Sequence, residues 1–238
     1  MDLRERTTNS QRHPWERARL AFVTDLVAQH APVGDIVDIG AGDAFVAAAF
    51  ATAGRHVVAV DAHYSDDDLH RLRAPRLGPA RDVPDGRVDL VLLLDVIEHV
   101  VDDTGLLRTA RDLLTDTGVA IITVPAWPTL FSHHDRALLH HRRYTPAMLH
   151  TAIEQAGLRV VVDGGLFHAL LVPRALSVFA ERFFERDAAH VGVGGFSAPA
   201  VIGNAITAAL RIEQRLSLAA ARRGLAVPGL SLFAVVRR

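Results

Sequence analysis

Cysteine and lysine are both missing from this chain of 238 residues. Without cysteine there are no disulfides, thiolate metal sites, iron–sulfur clusters or thiol nucleophiles. Without lysine there is no Schiff-base chemistry and no phosphate-binding lysine of the Walker type. All 26 basic residues are therefore arginine, a bias that, with abundant Ala and Val, GC-rich bacterial coding would produce. No apolar run reaches the length of a membrane span, and the opening MDLRERTTNSQRHPW has no hydrophobic signal core. A cytoplasmic protein without stable membrane insertion is the expectation. The formal net charge of −1 gives no electrostatic case for nucleic acid or for an anionic membrane surface. Thirteen histidines make the charge pH-dependent near neutrality.

Half of the residues are hydrophobic, enough for one substantial core, so a single domain over 1–238 is expected. Residues 1–12 read as a disordered lead-in, and 13–31 as an N-terminal helix with Pro14 in its first turn. Strand and helix signals then alternate. Strands are expected at 35–40 (DIVDIG), 56–61 (HVVAVD), 80–83, 88–95 (VDLVLLLD), 119–124 (VAIITV), 159–163 and 230–236. Helices are expected at 45–53, stopped by Gly54, at 66–73, at 104–114, and at 145–157, where Thr145 caps and Pro146 begins the helix. Near-continuous apolar strands alternating with helices predict an α/β fold with a mostly parallel sheet covered on both faces.

The segment 166–229 stands apart, with two helical patterns separated by the glycine-rich 190–196 (HVGVGGF). The second runs from a cap at Ser197 to Gly224. Extra core, a homodimer surface, a lid and a face for a lipid-like substrate are all compatible with this helical insertion.

The first strand ends in Asp38-Ile39-Gly40-Ala41-Gly42, a turn whose bare backbone admits a ligand and whose following helix offers N–H groups. The second strand ends about twenty residues later in Asp61, placed to accept ribose hydroxyls. A dinucleotide fingerprint would need a third glycine at position 45, which is Phe45. Asp38 beneath the turn would repel phosphate and suit an ammonium group. Both features favour a sulfonium nucleoside over a nicotinamide.

In order along the chain, VDIGAGDA, VVAVD, DLVLLLDVIEHVVDD and GVAIITVPAW resemble the motifs of class I S-adenosylmethionine-dependent methyltransferases. The similarity, over about residues 30–160, is to the type 11/12 methyltransferase domains, which include ubiquinone-biosynthesis O-methyltransferases. The resemblance implies a Rossmann-like seven-stranded sheet in the order 3-2-1-4-5-7-6 with the last strand antiparallel. It implies S-adenosylmethionine as cofactor. Asp38, Gly40, Ala41 and Gly42 would hold the methionine part, Asp61 the ribose, and Ala62 and His63 would lie beside the adenosine. Asp82 and Val83 would meet the adenine, and Asp95 the methyl-transfer region.

Methyl transfer to a hydroxyl needs an aligned acceptor and a proton acceptor. His99, and His134 with Asp135 as its orienting partner, are the candidate catalytic residues; each also has a purely structural reading. SHHDRALLHHRRYT resembles a signature of a bacterial subgroup of these enzymes. Trp15, Trp127, Phe131, His133, Tyr144 and Phe167 are candidates to line an acceptor pocket. Asp95, Glu98 and His99, completed by His133 or His134, would suit a divalent metal ion. The expected function is methyl transfer to a small apolar or aromatic hydroxylated metabolite, as in natural-product biosynthesis. A lipid-linked or cell-envelope acceptor, or cofactor binding without catalysis, are the alternatives.

Overall fold

The computed structural model describes residues 12–65, 76–79, 86–183 and 199–238. The chain opens on α1 (Pro14–His30), which matches the helix read from the sequence; His13 caps it, and Glu16 reaches back to the His13 N–H. There follow β1 (Ile36–Ile39), α2 (Phe45–Thr52), β2 (Val57–Asp61), β3 (Arg76–Pro79) and β4 (Val88–Leu94). A short 3₁₀ turn (Ile97–His99) leads to α3 (Asp103–Leu113) and β5 (Leu114–Pro125). Then come α4 (His133–Ala137), α5 (Pro146–Gln155), β6 (Arg159–Leu166), α6 (His168–Phe183), α7 (Ala200–Ala221) and β7 (Ser231–Arg237).

The seven strands form one sheet in the order β3-β2-β1-β4-β5-β7-β6. β7 runs antiparallel to both β5 and β6, and the other pairings are parallel. Alternate side chains of each strand feed two cores. On one face Leu92, Ile121 and Phe233 pack with Phe22 and Leu26 of α1, Phe50 of α2, and Leu210 and Leu218 of α7. On the other, Leu93, Ile122 and Ala234 pack with Leu107 of α3 and Leu149 and Ile153 of α5.

Some boundaries differ from expectation; β5 begins at Leu114 rather than 119, and β6 runs on to Leu166. The third strand is Arg76–Pro79, earlier than expected, pairing with β2 from Val58 to Asp61. Gly78 and Pro79 are poor strand formers, and only an edge strand tolerates a residue without an N–H. The helix expected at 66–73, Asp82, Val83, the 190–196 loop and Ser197 lie outside the described residues. α7 begins behind Pro199, which makes no side-chain cap bond. The insertion between β6 and β7 carries the two expected helices, and α7 packs on α1 and β6.

Chain order reverses between β1 and β4, so their carboxyl ends open a crevice at the topological switch point.

Candidate functional site

The turn after β1 is built from left-handed residues: Gly40 (φ 70°), Gly42 (φ 56°) and Ala44 (φ 55°). The N–H groups of Gly40 and Ala41 both donate to the Val60 carbonyl, at 2.8 and 3.1 Å, stitching the turn to β2. A Cβ on Gly40 would stand 2.7 Å from the Val96 side chain, so glycine is required there by space as well as by φ. Asp61, at the end of β2, accepts from the Gly42 N–H (3.0 Å) and the His63 N–H (2.8 Å). Its carboxylate is thus fixed beside the bare turn, with Ala62 and His63 on the exposed rim. Asp38 lies beneath. Burial pushes its carboxyl up to about 7, with Asp61 and Asp43 adding to the rise and Arg19 opposing it.

Across the crevice Asp95 adopts φ 58°. Its N–H donates to the Thr123 carbonyl and its Oδ1 accepts from Thr123 Oγ1, each at 3.0 Å. Oδ2 pairs with the guanidinium of Arg19, which is buried and lies 5.0 Å over the Trp15 ring. The Nε of Arg19 is buried with no partner among the described residues. Arg19 was not anticipated. It lies four residues after Trp15 and three before Phe22, and an arginine on that apolar stripe is the signal that marks it.

Glu98 is fully buried in the 3₁₀ turn, and neither carboxyl oxygen has a partner among the described residues. Burial first, then the charge of Asp95, pushes its carboxyl well above the ordinary carboxylate range.

Asp135 is also fully buried, but it is saturated. It accepts from Ser132 N (3.0 Å), Ser132 Oγ (3.1 Å) and Arg143 Nε (2.8 Å), and His140 Nδ1 lies 2.9 Å away. Arg174 of α6 approaches to 3.7 Å and donates to Ser132 Oγ. Burial alone would raise the Asp135 carboxyl; His140, Arg143 and the Ser132 N–H together overcome that and hold it well below the carboxylate range. The expected pairing of Asp135 with His134 is therefore replaced by pairing with His140.

Glu98, His99 and His140 each turn one ligand-type atom into a cluster whose atoms lie within 4.8 Å of one another. The His99 and His140 rings meet edge to face at 4.6 Å. His140 thus completes the metal-type set in place of His133 or His134, while Asp95 is taken up by Arg19 and Thr123.

These groups face one cleft of about 670 Å³, lined by Gly40, Gly42, Asp61, Ala62, His63, Asp95, Glu98, His99, His134, His140, Arg143 and Arg174. Leu94, Val96, Val100, Leu106, Leu138 and Leu170 supply its apolar wall. Trp15 and Phe167 line it too, edge to face at 6.4 Å. Asp38 and Ala41 lie behind the lining. Four expected acceptor residues are outside it, three of them held by other contacts. Trp127 donates from Nε1 to the Gly229 carbonyl at 2.8 Å. Tyr144 is buried and donates to Asp103 Oδ2 at 2.7 Å; burial and Asp103 drive its phenol far above the usual range. Phe131 lies under the Arg136 guanidinium at 5.7 Å, and His133 is exposed.

Residues 10–162 match the family model of a methyltransferase domain. A Mycobacterium tuberculosis (strain H37Rv) protein named "Probable S-adenosylmethionine-dependent methyltransferase Rv3030" is 28% identical over 162 residues, which are 65% of this chain and 59% of that protein. An "Uncharacterized methyltransferase" of Mycobacterium sp. (strain JLS) is 30% identical over 133 residues, 51% of this chain and 52% of that protein. The chain thus matches less than two thirds of the length of these relatives. Among solved structures, a SAM-dependent methyltransferase from Archaeoglobus fulgidus superposes with a TM-score of 0.55 at 15% identity, covering 94% of this chain and 97% of that one. The CcbJ methyltransferase from Streptomyces caelestis gives 0.53 at 18% identity, covering 99% and 94%. The [4+2]-cyclase SpnF gives 0.54 at 15% identity, covering 97% and 85%. These likenesses establish the fold, and the cyclase shows that the fold alone does not assign a reaction.

Proposed function

This chain belongs to the methyltransferase-domain family, with the class I Rossmann-like fold, and on that premise we propose that it methylates a hydroxyl of an apolar or aromatic small molecule. The observation that carries the cofactor assignment is Asp61: a carboxylate pinned by two backbone N–H groups beside a turn in which Gly40 and Gly42 carry no Cβ. When bound there, S-adenosylmethionine supplies an electrophilic methyl group on a sulfonium.

The residues fit such a nucleoside. Asp61 has lone pairs left for ribose hydroxyls, and Gly40 and Gly42 let the amino-acid part approach the backbone. Asp38 and Asp95 supply negative charge for its ammonium group. Arg19, with a buried Nε–H unspent, can meet its carboxylate.

On the acceptor side, His140 donates from Nδ1–H to Asp135, which leaves Nε2 as an acceptor toward the cleft. As the acceptor oxygen gains the methyl group, its proton passes to this nitrogen. Asp135 positions the ring and stabilises the imidazolium. Trp15, Phe167 and the leucine wall hold an apolar acceptor and keep water out. A second reading is favoured by the two unpartnered oxygens of Glu98: with His99 and His140 they would hold a divalent cation, a Lewis acid for the acceptor oxygen. Turnover abolished by a chelator and restored by added metal selects that reading.

The test is calorimetric and kinetic. Asp61→Ala should weaken S-adenosylhomocysteine binding by about tenfold or more, the worth of hydrogen bonds to a charged group. An unchanged dissociation constant would overturn the site. With labelled S-adenosylmethionine and a panel of hydroxylated aromatic acceptors, His140→Gln should lower kcat and leave cofactor affinity as in the wild type. Full turnover in that variant removes His140 from the reaction.

A further inference from the structure

The outer face of α7 is apolar and basic together. Val201, Ile212 and Leu216 are 78%, 61% and 66% exposed, and at helical spacing they share one stripe with Ala205 and Ala208. Arg211, Arg215 and Arg222 run beside that stripe, and Arg223 continues it; all four are exposed. Beyond the helix Leu225 is 62% exposed. The inward face of the same helix buries Thr207, Gln214 and Ser217 among its contacts. The helix thus leaves a stripe of large apolar side chains facing solvent while polar side chains are buried beneath it, which water on the outer face would not select.

The charge on this face has one sign. Residues 199–230 contain a single carboxylate, Glu213, and it is turned inward, accepting from the N–H groups of His168 (2.6 Å) and Ala169 (2.9 Å). Asp25 of α1, at the border, meets Arg215 at 3.7 Å. The near-neutral total charge conceals this segregation, because the acidic residues lie elsewhere on the chain.

We propose that this face of α7 docks the protein on an anionic lipid surface, with the stripe entering the headgroup boundary and the arginine row meeting lipid phosphates. Two physical points select this occupant. Apolar side chains bordered by arginine are the pattern of a helix that lies in a membrane interface. A second copy is disfavoured, because it would bring a second set of the same arginines to the contact while the single carboxylate of residues 199–230, Glu213, is already spent on His168 and Ala169. No helix among the described residues is long and apolar enough to cross a membrane, so the contact is peripheral. The inference is independent of the methyl-transfer reading.

The experiment is flotation of the full chain with vesicles of phosphatidylcholine alone and of phosphatidylcholine with an equal part of phosphatidylglycerol. The protein should float with the anionic vesicles, much less with the neutral ones, and less as salt rises. Arg211→Gln and Arg222→Gln should each lower partitioning about fivefold, the effect of one arginine at such a surface. Ile212→Ser with Leu216→Ser should lower it further. S-adenosylhomocysteine affinity measured on every variant should match the wild type, which separates loss of docking from loss of fold or of the cofactor site. Equal flotation on both vesicle types, none on either, or unaffected variants would overturn the proposal. So would a dimer in sedimentation velocity that Leu216→Ser dissolves, since the face would then belong to a second copy.

Discussion

The carboxyl of Asp38 is held in its protonated form across a pH range where an ordinary aspartate is charged. In the unfolded chain it titrates near 3.8, and in the folded chain near 7, chiefly because it is buried. Between those values the folded state holds a proton that the unfolded state has lost. The stability contributed by this group therefore falls as pH rises through the window and is level above about 7. A bound ammonium group acts the other way, since it favours the carboxylate. Affinity for S-adenosylhomocysteine should accordingly rise with pH up to about 7 and then flatten. One unit below that value it should be weaker by up to about tenfold, the fraction of carboxylate having fallen by that factor. Titration calorimetry at several pH values checks this, and Asp38→Asn should flatten the profile. A flat wild-type profile would show that Asp38 does not face the ammonium. Asp135, by contrast, is ionised throughout this range, so the orientation it gives His140 does not vary with pH near neutrality.

Between elements, the insertion is tied down by a cap supplied in trans. The N-terminus of α6 leaves N–H groups without helical partners, and the Glu213 carboxylate of α7 accepts two of them. Glu213→Ala should cost about 1–2 kcal/mol, the range of a lost cap. For a chain of this size that lowers Tm by roughly 2–8 °C. A melting temperature within a degree of wild type would mean that the carboxylate contributes nothing. Elements of this kind were only partly legible in the sequence. Thr145-Pro146 announced the start of α5, and the Met148 N–H does donate to Thr145 Oγ1 at 3.2 Å. The apolar runs announced β1, β2, β4 and β5, because strands buried on both faces have no polar alternation to hide them. β3 escaped because an edge strand tolerates Gly78 and Pro79. The partner of Asp135 escaped for a different reason. Neighbours in a helix point about 100° apart, so His134 and Asp135 diverge. Leu139, at φ 59°, then reverses the chain and returns His140 to the carboxylate. That reversal is a tertiary event with no local motif.

At the scale of the molecule, the cleft is assembled from parts that the sheet alone does not hold together. The glycine turn and Asp61 come from β1 and β2, Asp95 from the end of β4, Arg19 from α1, and Arg174 from α6. α1 packs on α7, α7 caps α6, and α6 reaches Ser132 through Arg174. A ligand that bridges Asp61 and Arg19 therefore links both ends of the chain to the switch point of the sheet. Binding only to the folded state stabilises it by mass action, by about 2.7 kcal/mol at a ligand concentration of a hundred times Kd. S-adenosylhomocysteine at that concentration should raise Tm by roughly 5–11 °C. The same addition should perturb the emission of Trp15, which lines the cleft over Arg19. It should spare that of Trp127, which is outside the cleft and bonded to Gly229. In Trp127→Phe the spectral change should persist, and in Trp15→Phe it should vanish while the rise in Tm remains. A change carried by Trp127 instead would place the ligand away from the switch point, and with it the proposed chemistry.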